Sequence, residues 1–266
     1  MNLPSNAPHG FLRLRGTFGS AALKAAALLL LIGCIAAAAV LLYRRHAGME
    51  YRLLAVLPND AASDPALVRF AAEEAAPVYA KHCASCHGAD MRGRAELGAP
   101  DLADAVSLYG RGDVYDIERS VLYGIRSGES KGRDISSMPA FGLNGVLNSA
   151  QIQSVVEYVM QLSGRAYEPV PANDGRELYF GTGGCFDCHG PDGRGNPDYG
   201  APDLTANVWN SGGDRQALFN TLYNGQHHLM PAWRKTLSLV EIRALAVYLY
   251  AASHPPQTEM KLAGEP

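Results

Sequence analysis

The sequence predicts an all-α protein in which one N-terminal transmembrane helix is followed by two tandem copies of a small helical domain. Three observations support this fold class. Residues 25–43 are apolar and uncharged, the motif Cys-x-x-Cys-His occurs at residues 83–87 and again at 185–189, and further short motifs follow each copy in the same order. We therefore expect the chain to carry the same chemistry twice outside a membrane anchor.

Composition narrows the classes of function. The 266 residues allow two domains plus extra segments. The net charge is −3, and residues 68–266 carry 17 Lys/Arg against 23 Asp/Glu. An acidic body argues against nucleic acid as a partner and suits steering of basic redox partners. No Ser/His/Asp triad, phosphate-binding glycine loop or paired-carboxylate motif stands out, so hydrolytic and nucleotide chemistry are not indicated.

The repeated Cys-x-x-Cys-His motif is typical of covalent attachment of c-type haem. Two residues between the cysteines let one turn of chain bring both sulfurs to the two vinyl groups of one porphyrin, and the adjoining histidine then faces the iron. Zinc binding and a thioredoxin-like redox pair are the alternatives, but zinc prefers four ligands and no further thiols lie near either copy. We predict two covalently bound haem c groups, held by Cys83, Cys86, His87, Cys185, Cys188 and His189.

Two methionines are the candidates for the sixth iron ligand. Met138 and Met230 each begin a Met-Pro-Ala-aromatic sequence, and they recur at equivalent points of the repeat, one to each half. A thioether is a soft, neutral ligand that favours Fe(II) and raises the reduction potential. The proline that follows each methionine stiffens the loop. We predict axial ligation by His87, Met138, His189 and Met230.

Other side chains compete less well for the sixth position. Met91 lies only four residues past His87, and Met160 lies in a helical apolar stripe typical of a core. His227 and His228 are close to Met230, so a bis-histidine site is an open alternative for the second half.

The apolar segment 25–43 is long enough to span a bilayer, since 19 helical residues extend roughly 28 Å. A retained anchor is favoured because the segment ends at Arg44 and Arg45. A cleaved signal peptide and lipoprotein processing at Cys34 are the alternatives. Basic residues flank both ends equally, so they do not set the orientation. In the c-type cytochromes that this chain resembles, haem is attached outside the cytoplasm, which implies that the following domains lie in the periplasm and the N-terminus inside.

Internal repetition defines the predicted domains. The sequence Gly-Ala-Pro-Asp-Leu starts at Gly98 and again at Gly200, the same offset of 102 residues as the haem motifs. The methionine motifs are offset by only 92 residues, so the first copy holds extra residues within 124–137, which we expect to form a surface loop. This loop is either a tolerated insertion or a docking site for a partner.

The predicted divisions are a cytoplasmic N-terminus at 1–24, the anchor at 25–43, a linker at 44–67, the first domain at 68–165, a linker at 166–173, the second domain at 174–253 and a tail at 254–266.

Helices are expected where the chemistry needs them. Apolar periodicity predicts helices over 70–86 and 174–188, leading into each haem motif, and short amphipathic helices over 116–124 and 215–223. The last helix of each copy should begin with a capping box, at Asn148 with Gln151 and at Ser238 with Glu241.

The ordered set of motifs resembles the dihaem c subunit, subunit III, of cbb-type cytochrome c oxidases. The resemblance covers roughly residues 50–253 and includes Tyr-Val-x-x-Leu-Ser-Gly at 158–164 and Asn-Gly-x-x-x-x-Met-Pro-Ala-Trp from Asn224. It implies two tandem cytochrome c-like domains. The chain departs from the family within 1–23 and in the Trp-Leu-Tyr-Gly-Gly element, represented only by 107–110 and 208–213. These departures concern contacts with partner subunits.

The resemblance implies an electron-transfer subunit of a terminal oxidase, without a catalytic site of its own, in the bacterial inner membrane. Such a subunit accepts electrons from a soluble cytochrome c or a quinol:cytochrome c reductase. It passes them to a monohaem c subunit and on to the copper–haem b subunit. A freestanding membrane-anchored dihaem shuttle is the alternative, and a dihaem peroxidase or dehydrogenase subunit is a third hypothesis. Two Met-Pro motifs disfavour a peroxidase, which needs an open iron site.

Overall fold

The protein is helical throughout the part that the structure describes. The computed structural model describes residues 18–134, 136–206 and 212–255, with side chains from residue 22 onward, and within these ranges the only β-type pairings are isolated bridges. The helices are α1 (Phe18–Ala55), α2 (Pro58–Ala61), α3 (Pro65–His82), α4 (Ala84–His87), α5 (Val114–Tyr123), α6 (Ser149–Leu162), α7 (Pro169–Phe180), α8 (Phe186–His189), α9 (Arg215–Asn224) and α10 (Leu239–Ser253). The predicted all-α class is confirmed. The predicted N-terminal segment and C-terminal tail lie largely outside the described residues.

Helix α1 contains the predicted anchor and continues beyond it. The chain divides into two compact units, Met1–Gly48 and Met49–Pro266. Residues Ala22–Ala55 are long and apolar enough to cross a membrane by length and composition, and the most apolar part of this helix is fully exposed. The helix does not stop at the arginine pair, so the predicted linker 44–67 is largely helical. In the second unit, Leu53 on the last turn of α1 is completely buried.

Three helices, α2, α3 and α7, start at prolines that lie in the linkers predicted from the sequence. Helix α3 begins at Pro65, and Asp64 accepts a hydrogen bond from the backbone N of Ala66 at 2.8 Å. Helix α7 begins at Pro169, inside the predicted linker 166–173. Proline is well tolerated in the first helical turn, because the backbone N–H that it lacks would have no helical partner there. Periodicity alone could not distinguish these helix starts from a stiff linker.

The capping boxes predicted for the last helix of each copy are present. Asn148 accepts from the backbone N of Gln151 at 3.0 Å while the Gln151 side chain accepts from the N of Asn148 at 2.9 Å. Ser238 and Glu241 make the same reciprocal pair. Each box satisfies two backbone donors and fixes where α6 and α10 begin.

The helices form two hydrophobic cores, and each core combines elements from both predicted domains. The first core is built from α3, α5 and α10, so that the last helix of the chain packs on the first helix of the first copy. The second core is built from α6, α7 and α9, so that the last helix of the first copy packs on the first helix of the second. The fully buried side chains include Leu67 and Leu245 in the first core and Ile152 and Tyr179 in the second.

Chain connectivity explains why α6 packs on α7 and α10 on α3. Helices α6 and α7 are joined by residues 163–168 only, and a short connection favours packing of consecutive helices against each other. Because α6 covers the apolar face of α7, the equivalent face of α3 is covered by α10. Backbone hydrogen bonds join the copies at equivalent points, from Phe141 N to Leu222 O and from Trp233 N to Val121 O, both 3.0 Å. The two halves are therefore interlocked rather than successive.

The extra loop of the first copy contributes to this interlocking. Arg133 is 7 % exposed and donates to the Asp116 carboxylate at 2.7 Å. Glu129 forms ion pairs with Arg234 at 3.2 Å and Lys235 at 3.1 Å, both in the other copy. The prediction of a simple surface loop was therefore incomplete, since part of the loop is buried and part connects the two copies.

Candidate haem-binding sites

Each Cys-x-x-Cys-His motif folds into a single helical turn. In the first, the backbone N–H of His87 donates to Cys83 O at 2.9 Å, and in the second that of His189 donates to Cys185 O at 2.9 Å. The turn brings the two cysteines of a motif to one side of the chain, as the spacing predicts. Cys86 is exposed and Cys83 half-buried, whereas Cys185 is buried and Cys188 half-buried.

The two motif histidines have the same hydrogen bond. His87 Nδ1 lies 3.2 Å from Pro100 O, and His189 Nδ1 lies 3.0 Å from Pro202 O. A carbonyl oxygen only accepts, so Nδ1 carries the proton and Nε2 carries the lone pair that an iron ligand needs. Burial lowers the pKa of both imidazoles, which keeps them neutral. The repeated Gly-Ala-Pro-Asp-Leu sequence thus supplies the carbonyl that orients each histidine.

The cysteines do not have the character of a redox-active dithiol. Burial raises the pKa of the Cys83 and Cys185 thiols to about 11. Reactive cysteines of disulfide oxidoreductases have a lowered pKa, because the thiolate is the nucleophile. Among the described residues there is also no cluster of three or more His, Cys, Asp and Glu side chains able to hold a metal ion.

A tyrosine pair supports the motifs and was missed from the sequence. The Tyr79 hydroxyl donates to Gly88 O at 2.7 Å, and the Tyr179 hydroxyl donates to Gly190 O at 2.6 Å. Each bond ties the helix before a motif to the residue directly after its histidine. The signal was present as an aliphatic-Tyr pair recurring before each motif, although the glycine-rich second copy shifts its spacing.

Each predicted methionine ligand packs against the core that holds the haem motif of the other copy. Met230 packs against the first core, which also contacts Cys83, and the neighbouring Trp233 ring lies 5.1 Å from the His82 ring between centroids. Met138 packs against the second core, which contains Cys185. The sequence suggested one methionine to each half, whereas in the structure Met230 shares a core with Cys83 of the first motif and Met138 shares a core with Cys185 of the second.

The competing side chains have other surroundings. Met91 and Met160 are buried in the first and second cores. His227 is exposed, and the ring of His228 lies so close to Gly98 that a Cβ there would be 2.0 Å from it. The predicted element at 208–213 lies largely outside the described residues.

The side chains that lie near each Cys-x-x-Cys-His motif fit a covalently attached haem. A pair of thiols on one turn, a neutral imidazole with a fixed tautomer, and a partly buried thioether from another loop make up the groups that c-type haem requires. This arrangement defines a dihaem c-type cytochrome, whose two haem c groups are covalently bound to one chain.

Comparison with known proteins agrees with this class. The family profile described as "Cytochrome c" matches residues 72–163, and "Cytochrome C oxidase, cbb3-type, subunit III" matches 170–249. A "Cbb3-type cytochrome c oxidase subunit CcoP" of Cereibacter sphaeroides is 38% identical, over 71% of this chain and 63% of that protein. A "Cbb3-type cytochrome c oxidase subunit FixP" of Azorhizobium caulinodans is 37% identical over 79% of this chain and 69% of that protein.

The chain belongs to this CcoP/FixP family of cbb3-type oxidase subunits. It spans somewhat less than two thirds of the Cereibacter sphaeroides relative, and 64% of a similar FixP subunit from a Bradyrhizobium strain.

Proposed function

We propose that the protein is the membrane-anchored electron-relay subunit of a cbb3-type terminal oxidase. Family membership together with two haem-binding motifs in one interlocked unit, residues 49–266, carries this proposal. Relay needs two one-electron centres held at a fixed separation. Two interlocked halves share both cores, so one half does not move without the other.

The haem ligands are assigned as follows. Cys83 and Cys86 attach the first haem and Cys185 and Cys188 the second, with His87 and His189 on the proximal sides. Core packing supports a crossed assignment of the sixth ligands. Met230 serves the haem of the first motif, and Met138 serves that of the second.

When bound, each haem supplies an Fe(III)/Fe(II) couple. The chain's own residues hold that couple in place: Pro100 O and Pro202 O orient the imidazoles, and the thioethers of Met138 and Met230 favour the ferrous state. An iron held by both an imidazole and a thioether would have no open position for a substrate, so we infer that both sites would carry electrons rather than catalyse a reaction. The apolar surroundings of the cores disfavour the extra charge of the ferric form and act in the same direction.

Helix α1 is proposed to anchor the protein in the bacterial inner membrane, with the haem domains in the periplasm. The proposed donors are a soluble cytochrome c or a quinol:cytochrome c reductase, and the proposed acceptors are a monohaem c subunit and then the copper–haem b subunit.

Co-purification tests the function. The full chain, tagged at its C-terminus, is extracted from membranes of its native host in mild detergent, and the complex is analysed by haem-stained gel, pyridine haemochrome and metal content. We expect haem b and copper together with two haem c per tagged chain. Recovery of the dihaem chain alone, under conditions that keep a known oxidase intact, contradicts an oxidase subunit and favours the freestanding shuttle.

The crossed ligand assignment has its own test. In the reduced protein, carbon-13-labelled methionine methyl groups bound to iron shift far upfield, and Met138→Leu and Met230→Leu identify each signal. We expect the Met230 methyl to show nuclear Overhauser contacts to the haem linked to Cys83, and the Met138 methyl to that linked to Cys185. The crossed assignment is overturned if the Met138 methyl contacts the haem linked to Cys83 and the Met230 methyl contacts that linked to Cys185. It is also overturned if a haem shows the spectrum of bis-histidine ligation.

A further inference from the structure

Arg126 adopts a backbone conformation that is unusual for a side-chain-bearing residue. Its φ is +52°, in the left-handed region. Such a conformation is unfavourable for a residue with a Cβ and persists where surrounding contacts fix it. The backbone N–H of Arg126 donates to Arg133 O at 3.2 Å, and the preceding residue, Ile125, exchanges two hydrogen bonds of 3.0 Å with Met230. The backbone here is therefore held against one of the methionine loops.

The Arg126 guanidinium reaches both methionine loops. Its Nε donates to His228 O at 2.6 Å, and its Nη1 donates to Ser136 O at 3.2 Å. His228 lies two residues before Met230, and Ser136 lies two residues before Met138. One side chain therefore bonds the same backbone position of the two loops, although the loops belong to different copies and different cores.

A tyrosine completes the contacts of this guanidinium. Arg126 Nη1 also donates to the Tyr109 hydroxyl at 3.1 Å, and the Tyr109 ring lies against Gly200, where a Cβ would be 2.2 Å from the ring. Gly200 begins the segment whose Pro202 carbonyl orients His189. The same arginine is thus linked to the proximal side of the second haem as well.

The repeat offers no second arginine for this role. Gly124 and Gly225 occupy equivalent places, each with a φ of +71°, so the counterpart of Arg126 is the exposed His227. Both residues line a cavity of about 440 Å³. The cavity leaves room for other side chains at position 126, so substitution there does not require repacking of a core.

We propose that Arg126 is a positioning residue shared by both haems, which holds the Met138 and Met230 loops together so that ligation of the two irons is coupled. The proposal rests on the ligand assignment above. A guanidinium spreads its N–H donors over three nitrogens in one rigid plane, whereas the donors of a lysine ammonium all lie on one nitrogen at the end of a flexible chain. Hydrogen bonds from a charged donor are among the stronger ones, so their loss should loosen both loops.

The test uses the full chain with both haems and compares Arg126→Gln and Arg126→Lys with the wild type. The two upfield methionine methyl signals of the reduced protein report each haem separately. The rate of cyanide binding to the ferric protein reports how often each methionine leaves its iron. Spectroelectrochemical titration gives the two midpoint potentials.

We expect cyanide to bind both haems about tenfold faster, or more, in Arg126→Gln, because the two charged hydrogen bonds to the methionine loops are lost. Both potentials should fall, because a cation and the stability of the Met–Fe bonds are lost together. Arg126→Lys should recover part of the potentials but little of the cyanide rate. The control Arg111→Gln removes an arginine whose side chain is 83% exposed and should change neither haem.

The shared role is overturned if Arg126→Gln changes only one haem or neither haem. It is also overturned if Arg111→Gln changes both haems as much as Arg126→Gln does. None of these outcomes affects the ligand assignment. If Arg126→Gln does not fold, Arg126→Lys decides, since wild-type cyanide rates at either haem of that variant overturn the proposal. Absence of methionine signals from the wild type overturns the ligand assignment and this proposal with it.

Discussion

Gly124 and Gly225 let the two methionine loops approach the neighbouring backbone closely. Both have a φ of +71°, and a Cβ would lie 2.4 Å from Met230 O at Gly124 and 2.6 Å from Met138 O at Gly225. Such contacts are too short for any side chain. These two positions therefore need glycine for both conformation and space.

Gly225→Ala should displace the Met138 loop. We expect a loss of about 1–3 kcal/mol in the free energy of unfolding from the backbone alone, and weakening of the Met–Fe(III) charge-transfer absorption of one haem. Gly145→Ala is the matched control, since Gly145 has a φ of +66° with nothing within 4 Å of the added Cβ. Equal absorption in the two variants would show that the close contact is unimportant.

The Tyr79 hydroxyl should make stability sensitive to alkaline pH. Burial raises the pKa of Tyr79 from 10.0 to about 12. The unfolded chain loses this proton first, so the contribution is complete below pH 10 and is lost as pH rises toward 12. Tyr79→Phe should cost about 0.5–1.5 kcal/mol at neutral pH, and its difference from wild type should shrink above pH 10. Denaturant unfolding from neutral to alkaline pH measures this difference in unfolding free energy. The control is Tyr115→Phe, since Tyr115 is half-exposed. A difference between Tyr79→Phe and wild type that does not change with pH would contradict the explanation.

Among the helices, α5 and α10 are joined by a buried ion pair. Arg243 donates to the Glu118 carboxylate at 2.5 Å, with the two side chains only 10% and 14% exposed. The same guanidinium donates to Leu53 O and Val56 O, both at 3.1 Å, at the end of α1. A cation at a helix C-terminus is favourable because the last carbonyls have no helical partners. Arg243 thus connects three helices of the second compact unit.

Glu118→Gln should destabilise the protein strongly. It leaves the Arg243 charge buried without its counter-ion, which typically costs about 3–5 kcal/mol. Asp192→Asn removes an exposed pair, with side chains 73% and 60% exposed, and should cost less than about 1 kcal/mol. Thermal unfolding followed by circular dichroism measures both. Similar losses in the two variants would show that burial of the Arg243 pair has little effect.

At the scale of the whole molecule, exchange of α6 and α10 makes each core depend on both copies. Neither copy contains all the helices of its own core, because α10 covers α3 and α6 covers α7. Covalent haem alone does not replace a missing helix. The cores therefore close only when both copies are present.

A chain broken between Gly164 and Arg165 tests this dependence. Expressed separately, each fragment should carry one covalently attached haem by mass but lack the Met–Fe(III) charge-transfer absorption, since its own methionine belongs to the other core. Co-expressed fragments should associate and recover it. Normal methionine ligation in either fragment alone would contradict the interlocked arrangement.

Sequence alone identified the all-α class, the long apolar segment, the repeat and the helices that lead toward each motif, although α3 ends at His82 and α7 at Phe180, before the separate helical turns that carry the motifs. These features depend on local signals: spacing of cysteines, apolar periodicity and capping residues, which are readable over a few residues. The helical continuation to Ala55 and the start of α7 at Pro169 were missed, because neither boundary carries a local signal that separates helix from linker.

The presence of two haem c groups was determined by the sequence, since each Cys-x-x-Cys-His motif places the proposed attachment residues within one turn. Only the tertiary structure shows which core each methionine packs against, and that Arg126 contacts both methionine loops. The last helices of the two copies begin with the same kind of capping box and carry similar apolar stripes, so no local pattern distinguishes the two pairings. The choice is made by the short connection at 163–168, which favours the packing of α6 on α7 and leaves α3 to α10.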